Sequence, residues 1–173
     1  MYGYQEILTD PSYSGQIIIM TYPLIGNYGV NETDIESEKI QAAGFVVGNY
    51  EDEWSNFEGS HSLDNYLKKY RIPGIFGIDT RALTKMIRSE GSMRGIISDD
   101  SVSDKNLLEK VLKTPSMSGL DLVKKVTTQD SYILKSKKPK YRIAVYDYGI
   151  KKNILREYIS QKYSETLQAE LDQ

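Results

Sequence analysis

The sequence contains no cysteine among its 173 residues, and it has a single histidine and a single tryptophan. The absence of cysteine excludes disulfides, thiolate metal sites and a thiol nucleophile. The apolar runs are far shorter than the roughly 20 residues that a membrane-spanning helix needs, so we expect no membrane segment. The sequence does not open on a charged and then apolar leader, and we therefore expect a cytoplasmic protein.

The sequence also has no excess of positive charge. The 22 Lys and Arg residues are balanced by 24 Asp and Glu residues, which gives a formal net charge of −2. The densest basic run, residues 135–140 (KSKKPK), is typical of a solvated linker beside a proline. We therefore expect no nucleic-acid partner, because such partners select basic surfaces.

The opening run, residues 3–17 (GYQEILTDPSYSGQI), is rich in turn-forming residues. Pro11 fixes its own φ, and the Asp and Ser side chains around it can bond nearby backbone amides. We interpret the run as a packed loop that leads into a buried strand at residues 16–22. Ser12 has two open interpretations: a serine that satisfies the turn backbone, or a hydroxyl presented to a polar ligand.

Hydrophobic periodicity predicts alternating strands and helices. Apolar, β-branched runs predict strands at residues 16–22, 44–48, 72–78 and 94–98. Apolar residues spaced by three and four predict helices over residues 63–70, 79–90, 104–113 and 151–161. Ser60 or Ser62 is suited to cap the first helix, Gly91 to close the second and Pro115 to stop the third. We interpret the apolar helix stripes as core, and the mixture favours an α/β or α+β domain.

A second structural unit is predicted near the end of the chain. Residues 127–140 lose apolar periodicity and gain Lys, Ser and Pro, which is typical of a linker. Residues 141–149 (YRIAVYDYG) then predict a strand and a glycine turn before the last helix. Strand, turn and helix form the first unit of a doubly wound parallel sheet. No G-x-G-x-x-G is present, which argues against a dinucleotide site.

Several long stretches resemble one family, in the family's order. Residues 3–16, 21–29 (TYPLIGNYG), 77–84 (GIDTRALT), 117–122 (MSGLDL) and 126–128 (VTT) resemble the N-terminal domain of the carbamoyl-phosphate synthetase small subunit. This is the subunit that hydrolyses glutamine. Residues 146–156 (YDYGIKKNILR) resemble the first strand and helix of the class I glutamine amidotransferase domain, which follows in that family.

The resemblance implies an α/β fold class and a division of the chain. Residues 1–126 would form a mixed β/β/α N-terminal domain that lacks its first strands, and residues 127–140 a linker. Residues 141–162 would be the first strand and helix of a doubly wound parallel domain, unable to bury its apolar face alone. Residues 163–173 match nothing in the family and are expected to form a polar tail with helical propensity. A missing strand would expose a sheet edge, which predicts self-association.

The family's chemistry needs residues that this sequence does not contain. Its amidotransferase domain hydrolyses glutamine with a cysteine thiolate that a histidine activates and a glutamate orients. The ammonia passes to a large subunit, which uses ATP and Mg²⁺ to make carbamoyl phosphate for arginine or pyrimidine biosynthesis. His61 does not match the catalytic histidine and is interpreted as a loop residue ahead of a helix. We expect no catalytic residue, no cofactor, no metal site and no activity of this chain alone.

The resemblance implies one binding residue. In the family, the serine directly after Asp-Pro contacts bound glutamine, and that position is Ser12 in residues 9–14 (TDPSYS). A hydroxyl can both donate to and accept from an amino acid's polar groups.

Three interpretations of the chain's role follow: a part of the small subunit that docks on the large subunit and completes the glutamine pocket, a non-catalytic interaction module on the large subunit, or an inert fragment.

Overall fold

Three parallel strands form the first sheet of the protein. The computed structural model describes residues 3–99, 101–137, 140–160 and 163–167, the last of these by backbone alone. The sheet has the order β1-β2-β3, with β1 at Ile17–Met20, β2 at Gly44–Val47 and β3 at Gly74–Ile75. The central strand β2 is buried along its whole length, as is usual for a strand covered on both faces. The parallel sheet with its surrounding helices confirms the α/β class.

The opening run is helical, so its interpretation as a loop is wrong as far as Thr9. Helix α1 spans Tyr4–Thr9, and a 3₁₀ helix follows at Pro11–Tyr13. Tyr4 and Leu8 lie four residues apart on one face of α1, and both are fully buried. The Tyr4 hydroxyl donates to the Gly29 carbonyl at 2.6 Å. Tertiary burial of these two side chains therefore overrides the turn-forming composition.

Helix α2 (Leu63–Tyr70) forms where its period predicts. The Ser62 hydroxyl accepts a hydrogen bond from the Asn65 amide at 3.3 Å and caps the helix start. Leu63 and Leu67 are buried in the main core. The other buried members of that core come from α1, the first sheet and the loops between them: Tyr4, Leu8, Ile18, Ile25, Val30, Ile40, Ala42, Phe45 and Val47.

Helices α3 (Thr80–Glu90) and α4 (Asp104–Lys113) confirm two further predictions, but their apolar stripes are only partly covered. Asp79 caps α3 by accepting from the Ala82 amide at 2.9 Å, and Gly91 closes the helix. The stripes are not core, because Met86, Leu108 and Leu112 are each more than half exposed. Helix α3 contacts β1, and the other residues of the two stripes are half-buried: Leu83, Ile87, Leu107 and Val111.

The strand predicted at residues 94–98 does not form. This segment has no regular secondary structure and pairs with no strand in the described part of the chain. The Ile17 Cδ1 atom lies 3.5 Å from the position that a Cβ on Gly95 would take, and the Ile97 side chain lies against Gly44. The segment therefore crosses the face of the first sheet, where its backbone cannot join the ladder.

A short helix, α5 (Val123–Val126), is followed by the C-terminal unit, which consists of a second sheet and one helix. We define this unit as β4 (Tyr132–Leu134), β5 (Tyr141–Val145), α6 (Lys152–Ser160) and β6 (Tyr163–Leu167). Its strand order is β4-β6-β5, with β6 parallel to β5 and antiparallel to β4. Helix α6 packs against β6, and its Leu155 side chain is buried.

Two expectations for this region are wrong. The strand-helix pair does not stand alone, because two further strands complete its sheet. The tail forms strand β6 over residues 163–167 instead of a helix, since its backbone groups pair on both sides with neighbouring strands. Residues 168–173 of the predicted tail and residue 161 of the predicted helix lie outside the described residues. The segment predicted as a linker contains β4.

The start of α6 is held by the loop between β1 and β2. The Lys152 amide donates to the Glu36 carbonyl at 3.0 Å, and the Asn153 amide donates to the Glu36 Oε2 atom at 2.9 Å. The first amides of a helix have no partner within the helix, and a carboxylate there also interacts favourably with the helix dipole. Glu36 is buried, so its two acceptors replace water for both amides. Arg156 adds a bond to the Ile35 carbonyl at 3.0 Å.

Replacement of Gly26 by alanine should destabilise the first sheet. Gly26 has φ +101°, and a Cβ there would overlap the Glu51 carbonyl oxygen and lie 2.9 Å from Tyr50 Cε2. We expect Gly26→Ala to lower the free energy of unfolding by more than about 2 kcal/mol, since left-handed strain of about 1–2 kcal/mol adds to this overlap. Gly15→Ala is the control, because Gly15 has φ +75° with open space around it. Equal losses of the two variants in urea unfolding would contradict the overlap.

Replacement of Glu36 by alanine should loosen the C-terminal unit. Its buried carboxylate is a partner of the Asn153 amide, and loss of such a bond costs about 1–3 kcal/mol. Glu38→Ala is the matched control: this glutamate pairs with Lys152 but is 87% exposed, and exposed pairs contribute about 0–1 kcal/mol. Urea unfolding and amide hydrogen exchange at Asn153 measure both effects. An equal response of the two variants would rule out Glu36 as the principal anchor.

Candidate functional site

Ser12 lies at the centre of the 3₁₀ helix Pro11–Tyr13, directly before β1, and it is exposed. Both ends of this turn are closed by backbone bonds: the Tyr13 amide donates to the Asp10 carbonyl at 3.0 Å, and the Ser14 amide donates to the Pro11 carbonyl at 3.1 Å. Pro11 has the fixed φ that the first position of such a turn favours. The turn therefore presents one hydroxyl on a short, rigid piece of backbone.

The Asp10 carboxylate caps the start of this turn. Its Oδ1 atom accepts a hydrogen bond from the Ser12 amide at 2.9 Å, which is the usual bond of a helix N-cap. Its Oδ2 atom forms an ion pair with the Lys151 Nζ atom at 2.7 Å. Asp10 is only 4% exposed, so both oxygens are satisfied by protein groups. One buried carboxylate thus connects the backbone of Ser12 to the residue that precedes α6.

Opposing effects act on the pKa of Asp10. Burial raises it and is the largest single influence, but the hydrogen bonds from Lys151 and from the Ser12 amide and hydroxyl together outweigh it, so the pKa lies below its usual value. The same bond to Asp10 raises the pKa of Lys151. Both groups are therefore charged at neutral pH, and the ion pair is intact there.

Ser12 lines a groove of about 240 Å³. Apolar side chains form much of its wall, and the Ser12 and Ser14 turn provides polar groups at one side. The residues that line it, taken together, are Pro11, Ser12, Ser14, Gln16, Met117, Leu122, Val123, Val126, Tyr148 and Gly149. The groove thus joins the opening turn to two stretches that also resemble the family, residues 117–122 and 146–156.

A second, larger cleft of about 590 Å³ lies between the Glu36–Glu38 loop and the C-terminal unit. Pro11, Val126 and Gly149 line both spaces, so their contact separates them. Gly149 has φ +98°, and a Cβ there would come within 2.7 Å of Val126 Cγ2 and 3.1 Å of Pro11 Cβ. Only glycine allows this approach, which brings the turn before α6 against the Ser12 turn.

Asp147 organises the turn between β5 and α6. Its Oδ1 atom accepts hydrogen bonds from the Gly149 and Ile150 amides at 2.9 and 2.8 Å. Its Oδ2 atom accepts a bond from the Tyr132 hydroxyl of β4 at 2.7 Å. Asp147 is buried, so these bonds fix the turn that carries Lys151 to Asp10.

His61, the single histidine of the sequence, lies away from the Ser12 groove. His61 is exposed in the loop before α2, where its carbonyl accepts a bond from the Val30 amide at 3.0 Å, and it lines neither cleft. Within the described ranges, no group of three or more His, Asp or Glu side chains could hold a metal ion. In the same ranges, no helix combines the length and apolarity needed to cross a bilayer. The groove can therefore offer hydrogen bonds and apolar contact to a ligand.

The sequence predicts one of the contacts that hold Ser12 in place but not the others. The Asp10 side chain is expected to bond a nearby backbone amide, and its bond from the Ser12 amide confirms this. Glu36 and Lys151 carry no local signal, because their roles depend on contacts between distant parts of the chain. Nothing in the spacing of the sequence indicates that Lys151 meets Asp10.

The chain is similar to carbamoyl phosphate synthase small chains from several bacteria. It is 47% identical to the one from Aquifex aeolicus (strain VF5) over 173 residues, which cover 93% of this chain and 47% of that relative. It is 48% identical to the one from Chlorobaculum tepidum over 155 residues, with 90% and 42% covered. The Thermotoga maritima small chain is 47% identical over 157 residues, with 91% and 40% covered.

A family model points in the same direction. Residues 1–97, which include α1, the Ser12 turn and the first sheet, match the model described as the carbamoyl-phosphate synthase small chain, CPSase domain. The chain spans about half the length of the curated relatives it matches. The match covers more than half of the chain, and the chain therefore belongs to the carbamoyl-phosphate synthase small chain family.

Proposed function

We propose that this chain forms the first part of the small chain of a glutamine-dependent carbamoyl-phosphate synthetase. In that role it docks on the large chain and supplies one wall of the glutamine pocket, in a cytoplasmic enzyme of arginine or pyrimidine biosynthesis. The observation that carries the proposal is the family match over residues 1–97, together with high identity to small chains along most of the sequence. Residues 1–126 are proposed as the docking domain and residues 141–162 as the start of the amidotransferase domain.

The chemistry of glutamine hydrolysis is not assigned to this chain. It has no cysteine, so it has no thiol that could attack a carboxamide carbon. Its proposed contribution is binding: the exposed Ser12 hydroxyl on its rigid turn would contact the polar groups of glutamine. ATP and Mg²⁺ would be used by the large chain, where the ammonia is consumed.

A non-catalytic interaction module is the second proposed role, and the absence of cysteine favours it for the chain alone. Such a module would occupy the large chain without delivering ammonia. The two roles share docking on the large chain and differ in whether an amidotransferase half completes the glutamine pocket. An inert chain would do neither.

Docking is tested by size-exclusion chromatography of the purified chain, alone and mixed with a carbamoyl-phosphate synthase large chain. We expect the two chains to co-elute, because the docking surface is proposed to lie within residues 1–126. Ser12→Ala is the matched variant and should co-elute equally well, because Ser12 lines the groove proposed for glutamine and is not assigned to the docking surface. Separate elution of the folded chain would overturn docking and leave the inert interpretation.

The glutamine contact is tested by Ser12→Ala in a full-length small chain whose first half is this sequence, assembled with a large chain. We expect the KM for glutamine to rise about 2- to 13-fold, because a hydrogen bond of this kind contributes about 0.5–1.5 kcal/mol. Carbamoyl phosphate synthesis from free ammonia should not change. Ser14→Ala, in the same groove, is the control. An unchanged glutamine KM for Ser12→Ala, or an equal rise for Ser14→Ala, would contradict a specific contact.

A further inference from the structure

We propose that Asp10 is the positioning residue for Ser12, and that its carboxylate makes the placement of the Ser12 hydroxyl depend on the docking of the C-terminal unit. This inference rests on the proposed glutamine contact of Ser12 and deepens it. Asp10 would not touch glutamine itself. It would act by fixing the backbone of Ser12, the residue that is proposed to contact glutamine.

The first step is the bond from Ser12 to the Oδ1 atom of Asp10. This bond joins the Ser12 backbone amide to a buried acceptor at 2.9 Å. Asp10 is 4% exposed, whereas Ser12 is exposed, so the anchor lies inside the protein and the hydroxyl-bearing residue lies at its surface. Water cannot easily replace a buried acceptor, and its removal leaves the amide without its partner. This oxygen therefore holds the backbone of Ser12 together with the two backbone bonds that close the turn.

Second, the other oxygen of the same carboxylate connects Asp10 to the residue that precedes α6. The Oδ2 atom pairs with Lys151 at 2.7 Å, and Lys151 immediately precedes α6. The turn that carries Lys151 is fixed by Asp147, through the Gly149 and Ile150 amides. Asp10 thus receives bonds from the Ser12 amide and hydroxyl of the turn that it caps and from Lys151, which directly precedes α6.

The third step is the close contact beside the ion pair. Gly149 approaches Pro11 so closely that a Cβ on Gly149 would lie 3.1 Å from Pro11 Cβ. Movement of the C-terminal unit would therefore disturb both neighbours of Ser12 in the turn: Pro11 by packing and Asp10 by charge. A buried charge that loses its partner is costly, so the turn and the unit are expected to move together.

The experiment compares Asp10→Ala, Ser12→Ala and the double variant in the full-length small chain whose first half is this sequence, assembled with a large chain. Asp10→Ala should raise the glutamine KM by the same 2- to 13-fold as Ser12→Ala, with ammonia-dependent synthesis unchanged. The double variant should show no further rise, because Asp10 acts only through Ser12. Asp121→Ala, which removes an exposed carboxylate paired with Lys124, should leave the KM unchanged.

Asp10→Asn provides the conservative comparison. Its amide oxygen can still accept from the Ser12 amide, although its charge for Lys151 is lost. We expect its glutamine KM to lie between those of the unaltered protein and of Asp10→Ala, because the acceptor for the Ser12 amide is kept while the ion pair with Lys151 is lost. Hydrogen exchange at the Ser12 amide, measured in the 173-residue chain, should be faster in Asp10→Ala and restored towards normal in Asp10→Asn.

The possible outcomes distinguish the positioning role of Asp10 from the glutamine contact of Ser12. If Ser12→Ala raises the KM and Asp10→Ala does not, the positioning role is overturned while the glutamine contact stands. If the effects of Asp10→Ala and Ser12→Ala multiply in the double variant, Asp10 acts independently of Ser12 and the inference is wrong. If Ser12→Ala leaves the KM unchanged, the proposed contact and the inference fall together. Should Asp10→Ala not fold, a KM rise in Asp10→Asn equal to that of Ser12→Ala would overturn the role of the Oδ1 acceptor.

Discussion

Two buried carboxylates, Asp10 and Glu36, hold the two sheets of this protein in one arrangement. A buried carboxylate must find hydrogen-bond donors or a counter-ion inside the protein, because the loss of water around it is costly. Asp10 finds Lys151, and Glu36 finds the Asn153 amide at the start of α6. Both donors come from the same short stretch before and within the first turn of α6. The C-terminal unit is therefore held at a defined position by these two carboxylates.

This arrangement also determines the shape of the groove at Ser12. Gly149 lies against Pro11 and Val126, and the contact separates the smaller groove from the larger cleft. Asp147 fixes the turn in which Gly149 lies. The wall that presents the Ser12 hydroxyl is thus built from both ends of the chain. Neither end would define the groove alone.

The apolar side chains of this protein are buried to very different degrees. The core around α1, α2 and β2 is well buried, whereas Met86 of α3 and Leu108 of α4 are more than half exposed. Helices usually bury such stripes against another layer. The sequence has no thiol, and the proposed role therefore rests on binding and docking.

The sequence by itself determined the α/β class, the helices α2, α3, α4 and α6, a serine cap for α2 and the close of α3 at Gly91, because these depend on periodicity and on groups a few residues apart. It also determined the family, through ordered stretches that include Ser12. Tertiary structure alone decided that residues 4–9 form a helix, that residues 94–98 cross the sheet face and that residues 163–167 form a strand. It alone joined Asp10 to Lys151, since burial and ion pairing between distant residues leave no pattern in the local sequence.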